Sequence, residues 1–305
     1  MAHQVKAKKD AAVVIGGVNM DIWGRPDGAL VMRDSTPGTV RMTPGGVGRN
    51  IAHNLRLLGM DVAFISAMGD DLIGQALMAS CTELGLDMQH ALVKKGGHSS
   101  TYLFVTEAGG DMCAAINDMD ICSQLTPAFF EPLLPKLRDF GAMVLDANLP
   151  AESVAWLCNH SRLPLYADTV SAAKAERFRP HLKRLRVIKS NALEAGILTG
   201  EKDPESAAKK LAKLCPGRVF VTLGADGILA AERDRLFHFP AYETEVINTT
   251  GAGDAAAAAI VWADLRGYDL KACAQLAQLA GSITCRSNLA NNPDLATLPQ
   301  LTRLA

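Results

Sequence analysis

Asn248-Thr-Thr-Gly-Ala-Gly-Asp254 stands directly before Ala255-Ala-Ala-Ala-Ala-Ile-Val-Trp-Ala-Asp-Leu265, a run of strong helix formers. Glycines let backbone amides approach an anion closely, and a helix start adds unpaired N–H groups and the positive end of the helix dipole. Gly251, Ala252 and Gly253 therefore read as a phosphate cradle. Asp254 falls in the first helical turn, where a carboxylate can take a proton from an incoming hydroxyl while the amides stabilise a transferring phosphoryl group. The same residues also suit a plain helix start in which Asp254 complements the dipole. The stretch alone does not separate the two readings.

Around it, short apolar or β-branched runs at residues 12–18, 62–67, 143–147, 165–168, 187–189 and 219–222 alternate with segments of helical spacing. The helical segments are residues 50–58, 73–84, 152–159, 207–214, 255–265 and 270–286. This alternation predicts one α/β domain over residues 1–305, a mostly parallel central sheet covered by helices on both faces. Two regions break the rhythm, at about residues 29–43 and 99–118. In the second, Thr101-Tyr-Leu-Phe-Val-Thr106 and residues 112–116 flank the turn signal Glu107-Ala-Gly-Gly-Asp111, a hairpin signature. Antiparallel strands inserted into such a sheet predict a small projecting unit, either a lid over a site or surface decoration.

Composition narrows the function classes. A formal net charge of -1 provides no field for nucleic acid or an anionic membrane, so any phosphate must be held locally. The seven cysteines show neither a C-x-x-C pair nor zinc-site spacing and read as reduced thiols. Residues 1–10 do not form a signal-peptide pattern, and no later stretch is long and uncharged enough to span a bilayer. A cytoplasmic protein is expected.

Substrate-side glycines accompany the phosphate segment. Thr43-Pro-Gly-Gly-Val-Gly-Arg-Asn50 precedes an amphipathic helix, so Gly45 and Gly46 can bring bare backbone against a polyhydroxylated ligand while Asn50 offers both a donor and an acceptor. Gly16-Gly-Val-Asn-Met-Asp21 follows the first strand and puts Asn19 and Asp21 at its carboxyl end, where open α/β sheets bind ligands. Neither glycine segment is the G-x-G-x-x-G dinucleotide fingerprint, which ranks a dehydrogenase below a kinase. Asn191 and Glu194 have capping-box spacing. Thr222-Leu-Gly-Ala-Asp-Gly227 reads by itself as a hairpin turn, and Asn117-Asp118 as a turn pair ending a strand. Asp168 and Lys174 read as solvated surface charges, with a phosphate- or Mg²⁺-side role as the alternative.

Gly45-Gly46 with Asn50, Asn191-Ala-Leu-Glu194, Thr222 to Gly227 and Gly251-Ala-Gly-Asp254 occur in the order seen in the ribokinase-like (PfkB) carbohydrate kinases. The resemblance spans almost the whole chain, and four ordered motifs are far more specific than any one. It implies the ribokinase-like three-layer α/β/α fold with a small β-strand lid. Thr43 to Ala52, Ala115-Ile-Asn-Asp-Met119 and Asn291-Asn-Pro-Asp-Leu295 resemble the branch of that family that phosphorylates pseudouridine. The implied reaction is transfer of the ATP γ-phosphate to the 5′-hydroxyl of that nucleoside.

By this resemblance Asp254 is the catalytic base, and Gly251, Ala252 and Gly253 are the anion hole. Asn19, Asp21, Gly45, Gly46 and Asn50 hold the sugar, and Asn117 and Asp118 reach the nucleoside from the lid. Asn191, Thr222, Gly224, Gly227 and Asn288 bind ATP, with Glu194 and Asn191 serving Mg²⁺ through water. Asn248 stands where ribokinases carry an aspartate near their monovalent cation, so K⁺ dependence is not implied. The lid's exposed edge suggests a homodimer. Another ribosyl substrate (uridine, adenosine, inosine or ribose) is the alternative within the family. A non-catalytic nucleoside-binding regulator is the alternative outside it, and the intact glycine set with Asp254 argues against that.

Overall fold

Residues 11–15, Ala-Ala-Val-Val-Ile, are buried, Ala12 and Val14 in one apolar core and Val13 and Ile15 in the other. Successive side chains of a strand point to opposite faces, so this segment must be covered on both sides. The computed structural model describes residues 8–302; the first seven residues, part of the polar amino-terminal stretch noted above, lie outside the described residues, as do the last three.

Its strands are β1 (Lys8–Ile15), β2 (Asn19–Pro26), β3 (Gly38–Gly45), β4 (Asp61–Ile65), β5 (Ala67–Gly69), β6 (Leu92–Lys94) and β7 (Thr101–Thr106). They continue with β8 (Met112–Asp118), β9 (Phe140–Asp146), β10 (Leu165–Asp168), β11 (Val187–Asn191), β12 (Arg218–Thr222), β13 (Ile228–Glu232) and β14 (Arg235–Phe239). The main sheet has eight strands in the order β14-β13-β12-β11-β10-β9-β1-β4. Strands β12 through β4 are mutually parallel, and β13 and β14 join antiparallel at one edge. This is the ribokinase-like α/β architecture. The six predicted helices form at Val47–Leu57, Leu72–Glu83, Ala151–His160, Pro204–Leu214, Ala252–Leu265 and Leu270–Cys285. Among the described residues no helix is long and apolar enough to cross a membrane.

A second sheet, β3-β2-β7-β8, corresponds to the expected lid. The hairpin β7–β8 forms as the turn signal predicts, but the other half differs from expectation: it starts at Asn19 with β2, and only residues 38–45 of the second arm are strand. The alternation Asn-Met-Asp-Ile-Trp is a period-2 signal for β2, masked because only three residues separate it from β1. Register aligns Thr43, Asp21, Tyr102 and Asn117 in one cross-strand row, so these four share a face. The opposite face carries Val40, Met42, Leu103 and Ile116, all exposed.

At the amino-terminal ends of the main-sheet strands, a cavity of about 860 Å³ is lined by Tyr166, Arg186 and Asp264 among others. Asp264 accepts from the Tyr166 hydroxyl at 2.6 Å and from Arg186 twice at 2.9 Å, and it pairs with Arg218 at 2.8 Å. This hub ties the helix Ala252–Leu265 to β10, to β12 and to Arg186 just ahead of β11. The phosphate segment lies at that helix's other end.

Candidate active site

Helix Ala252–Leu265 begins at Gly251, whose φ of 81° is left-handed. A side chain there would also collide with the backbone carbonyl of Ala290, so both the conformation and the space require glycine. Among the described residues the amides of Gly251, Gly253 and Asp254 have no protein acceptor, while the Ala252 amide leans on Thr249 O at 3.3 Å. Three free N–H groups at a helix start can cradle an anion, with Ala252 contributing less than its neighbours.

Asp254 lies in the first turn and is partly open to solvent. Its Oδ2 accepts from Asn50 Nδ2 at 2.8 Å. Burial, then the nearby Asp168, pushes its carboxyl up to about 7, against the pull of Lys189 and the Asn50 hydrogen bond. A carboxylate poised there has the proton affinity suited to a general base at neutral pH.

On the substrate side, a side chain at Gly45 would fall on the Asp21 carboxylate. Gly46 has φ 103° and backs onto the Gly17–Val18 backbone. Asn19 Nδ2 donates to Asp21 Oδ1 at 2.6 Å, and burial raises the Asp21 carboxyl above its ordinary value. Asn50 is buried; its Nδ2 serves Asp254 while its Oδ1 has no partner among the described residues. An acceptor of this kind beside the base suits a ligand hydroxyl. Asn117 shares the lid face of Asp21, whereas Asp118 lies on the opposite face, across from Thr101, and its side chain accepts from Asp120 N at 3.3 Å. The lid register thus separates the two residues that the sequence grouped together.

Asn191 and Thr222 are register partners at the carboxyl ends of β11 and β12. The capping box forms: Asn191 Oδ1 accepts from Glu194 N, and Glu194 Oε2 accepts from Asn191 N, each at 2.9 Å. Thr169 Oγ1 and Asn191 Nδ2 add two more bonds to that carboxylate, at 2.5 and 2.8 Å. With three donors already on the Glu194 carboxylate, and no cluster of three acidic, His or Cys side chains suited to a metal among the described residues, a direct protein cage for Mg²⁺ is not built. The donor set fits a hydrated Mg²⁺ carried on phosphates, the usual mode for that ion. Gly224 and Gly227, φ 63° and 102°, make the β12–β13 hairpin turn. Asn288 O accepts from Asn248 Nδ2 at 3.3 Å, joining that segment to the loop before the anion cradle.

Several site residues carry no obvious sequence signal. Asp168, expected as a solvated charge, is 2% exposed and pairs with Lys189 at 3.0 Å. Lys174 is likewise half-buried and donates to Asn148 Oδ1 at 2.6 Å. Asp146 is fully enclosed and accepts from the amides of Gly17 and Asn148, both at 2.8 Å. Each ends a parallel strand or follows one, and strand ends become neighbours only once the sheet assembles. Arg49 is also buried, reaching Pro44 O at 3.1 Å and Ser80 Oγ at 2.9 Å. The Asn291 motif has a structural job: its amide donates to Asn50 O and Asn54 Oδ1, both at 3.0 Å, linking the substrate-side helix to the strap behind Gly251.

Comparison with known proteins gives a consistent result. The pattern of the pfkB family carbohydrate kinases matches residues 9–297. The pseudouridine kinase of Escherichia coli K12 is 34% identical over 296 residues, covering 95% of each chain. The ribokinase of Bacillus subtilis is 26% identical over 275 residues, covering 89% of this chain and 91% of its own. An Arabidopsis thaliana ribokinase solved with ribose and ATP superposes with a TM-score of 0.83 at 19% identity, covering 94% of this chain and 97% of that one.

Proposed function

The chain belongs to the pfkB family of carbohydrate kinases, phosphotransferases with a hydroxyl acceptor, and from that premise we propose that it transfers the γ-phosphate of ATP to the 5′-hydroxyl of pseudouridine. The observation that carries the chemistry is the hydrogen bond between Asn50 and Asp254. It joins the substrate-side helix to the first turn of the anion cradle, so a hydroxyl bound by one side meets the base on the other.

In this reading the ribose lies against Gly45 and Gly46, with Asn19, Asp21 and Asn50 taking its hydroxyls. Asn117 approaches the nucleoside from the lid. Asp254 accepts the 5′-hydroxyl proton as the oxygen attacks, and the free amides of Gly251, Gly253 and Asp254 stabilise the charge on the moving phosphoryl group. ATP lies over Asn191, Thr222, Gly224, Gly227 and Asn288. Mg²⁺ supplies neutralising charge on the phosphates, with Glu194 and Asn191 meeting its water shell. Closure of the lid excludes water and limits wasteful hydrolysis.

Pseudouridine is favoured as acceptor by the 34% identity to a pseudouridine kinase along nearly the full length of both chains. A coupled ATP-consumption assay with pseudouridine, uridine, ribose, adenosine and inosine in parallel tests this. Pseudouridine should give the highest kcat/KM; turnover of ribose or another nucleoside without it overturns the acceptor but not the phosphotransferase. We also propose a homodimer through the lid, whose outer apolar row includes Val40 at 71% and Ile116 at 67% exposed. A monomeric mass by light scattering across working concentrations overturns it.

A further inference from the structure

Beneath the anion cradle lies a group of charges that the proposed reaction does not use directly. Lys189, on β11, is 8% exposed, and its ammonium pairs with Asp168 at the end of β10 at 3.0 Å. A Cβ built on Gly253 would lie 3.0 Å from Lys189 Nζ, so the ammonium rests directly against the backbone of the cradle. Asp146, the register neighbour of Asp168 at the end of β9, adds a further enclosed carboxylate. Resting on the reading of Asp254 as base, we infer that Lys189 is a positioning residue for that base: clamped by Asp168, it holds a buried positive charge under the cradle, and the pair sets the charge state of Asp254.

The groups that bear on Asp254 come from four elements. Asn50, on the helix Val47–Leu57, donates to it. Asp146 and Asp168 repel its negative form, and Lys189 attracts it. Glu194 acts on Lys189, and Lys174 acts on Asp146. On the Asn50 helix, Arg49 is turned to Pro44 and Ser80, and burial pushes the His53 imidazole below its ordinary value. Lys189 is thus the cation placed to oppose two carboxylates that favour a protonated base. Burial alone would drive its proton off, yet the surrounding carboxylates hold the ammonium charged above its ordinary range.

The consequence is a pair of shifts of opposite sign. Lys189→Met removes the attraction, so Asp254 should need a higher pH to ionise. Asp168→Asn removes a repulsion and frees Lys189, so Asp254 should ionise at lower pH. The experiment is the pH profile of kcat/KM at saturating MgATP, with the acceptor of the panel that the wild type turns over. The acid limb should move up by about one pH unit in Lys189→Met and down by a similar amount in Asp168→Asn, the scale of one nearby charge. The double variant should fall between them. A purely structural role would lower the plateau in both single variants without moving the limb, and limbs that stay put or move together overturn the inference. Should Lys189→Met fail to fold, the near-isosteric Asp168→Asn decides alone by the direction of its limb. Failure of the underlying reading looks different: Asp254→Asn would keep near-normal turnover, or the wild type would show no acid limb.

Discussion

Asp254→Asn should make the free protein more stable while removing its activity. Enclosure by protein and the nearby Asp168 raise the carboxyl from an ordinary 3.8 to about 7, so its charged form is held at a cost in the folded state. A shift of about three units corresponds to at most roughly 4 kcal/mol at about 1.4 kcal/mol per unit. Partial access to solvent lowers the expected figure to on the order of 1–3 kcal/mol. The sign follows from linkage: an acid whose folded pKa is raised stays protonated in the folded state while it ionises in the unfolded one. Wild-type stability therefore declines as pH rises from about 4 to about 7, and the full cost is present above that. Asparagine has no such charge to bury, and it can still accept from Asn50 Nδ2 through its own carbonyl. Urea unfolding of both proteins without ligands at pH 5 and pH 8 measures the gap, which should be larger at pH 8. Turnover should fall by about two to four decades with the acceptor's affinity kept. A variant no more stable at pH 8, or a gap independent of pH, would refute the electrostatic account; near-wild-type turnover would refute the base.

Three further outcomes are expected. Asp264→Ala strips the shared acceptor from Tyr166, Arg186 and Arg218 and should cost about 3–5 kcal/mol in chemical denaturation, with kcat per folded molecule little changed because the hub lies at the far end of the helix from Asp254. Gly251→Ala forces a left-handed φ of 81° on alanine and pushes its methyl against Ala290, so stability should drop by more than about 1 kcal/mol, and kcat should fall more than KM changes. Replacing K⁺ by Na⁺ or choline at constant ionic strength should leave turnover unchanged, because the neutral Asn248 amide already bridges Thr250 N and Asn288 O; a strong K⁺ activation would contradict this.

Glycines, caps and apolar runs were legible in the chain because their physics is local. The apolar run at residues 12–18 reads as a strand and residues 12–15 of it form one, Asn191 and Glu194 cap a helix as their spacing suggests, and the Gly251 to Asp254 stretch opens one. The turn signal Glu107 to Asp111 identified the hairpin β7–β8, but no turn signal marked β2, where the lid begins with only three residues separating it from β1. The lid pair Asn117 and Asp118 shows the limit most simply: adjacent residues of a strand face opposite ways, and only the register with β7 says which joins Asp21.

The sequence by itself determined the α/β class, through alternation along the chain, and a glycine-rich helix start with Asp254 in its first turn, a local signal carried by residues within a few positions of one another. Tertiary structure alone decided what surrounds that acid. Asn50 reaches it across 204 residues, and Asp168 and Lys189 come from neighbouring parallel strands. Charges so far apart along the chain meet only when crossover connections bring the strand ends side by side. For that reason Asp168, a plain surface charge by pattern, is an enclosed partner of Lys189 in the folded protein.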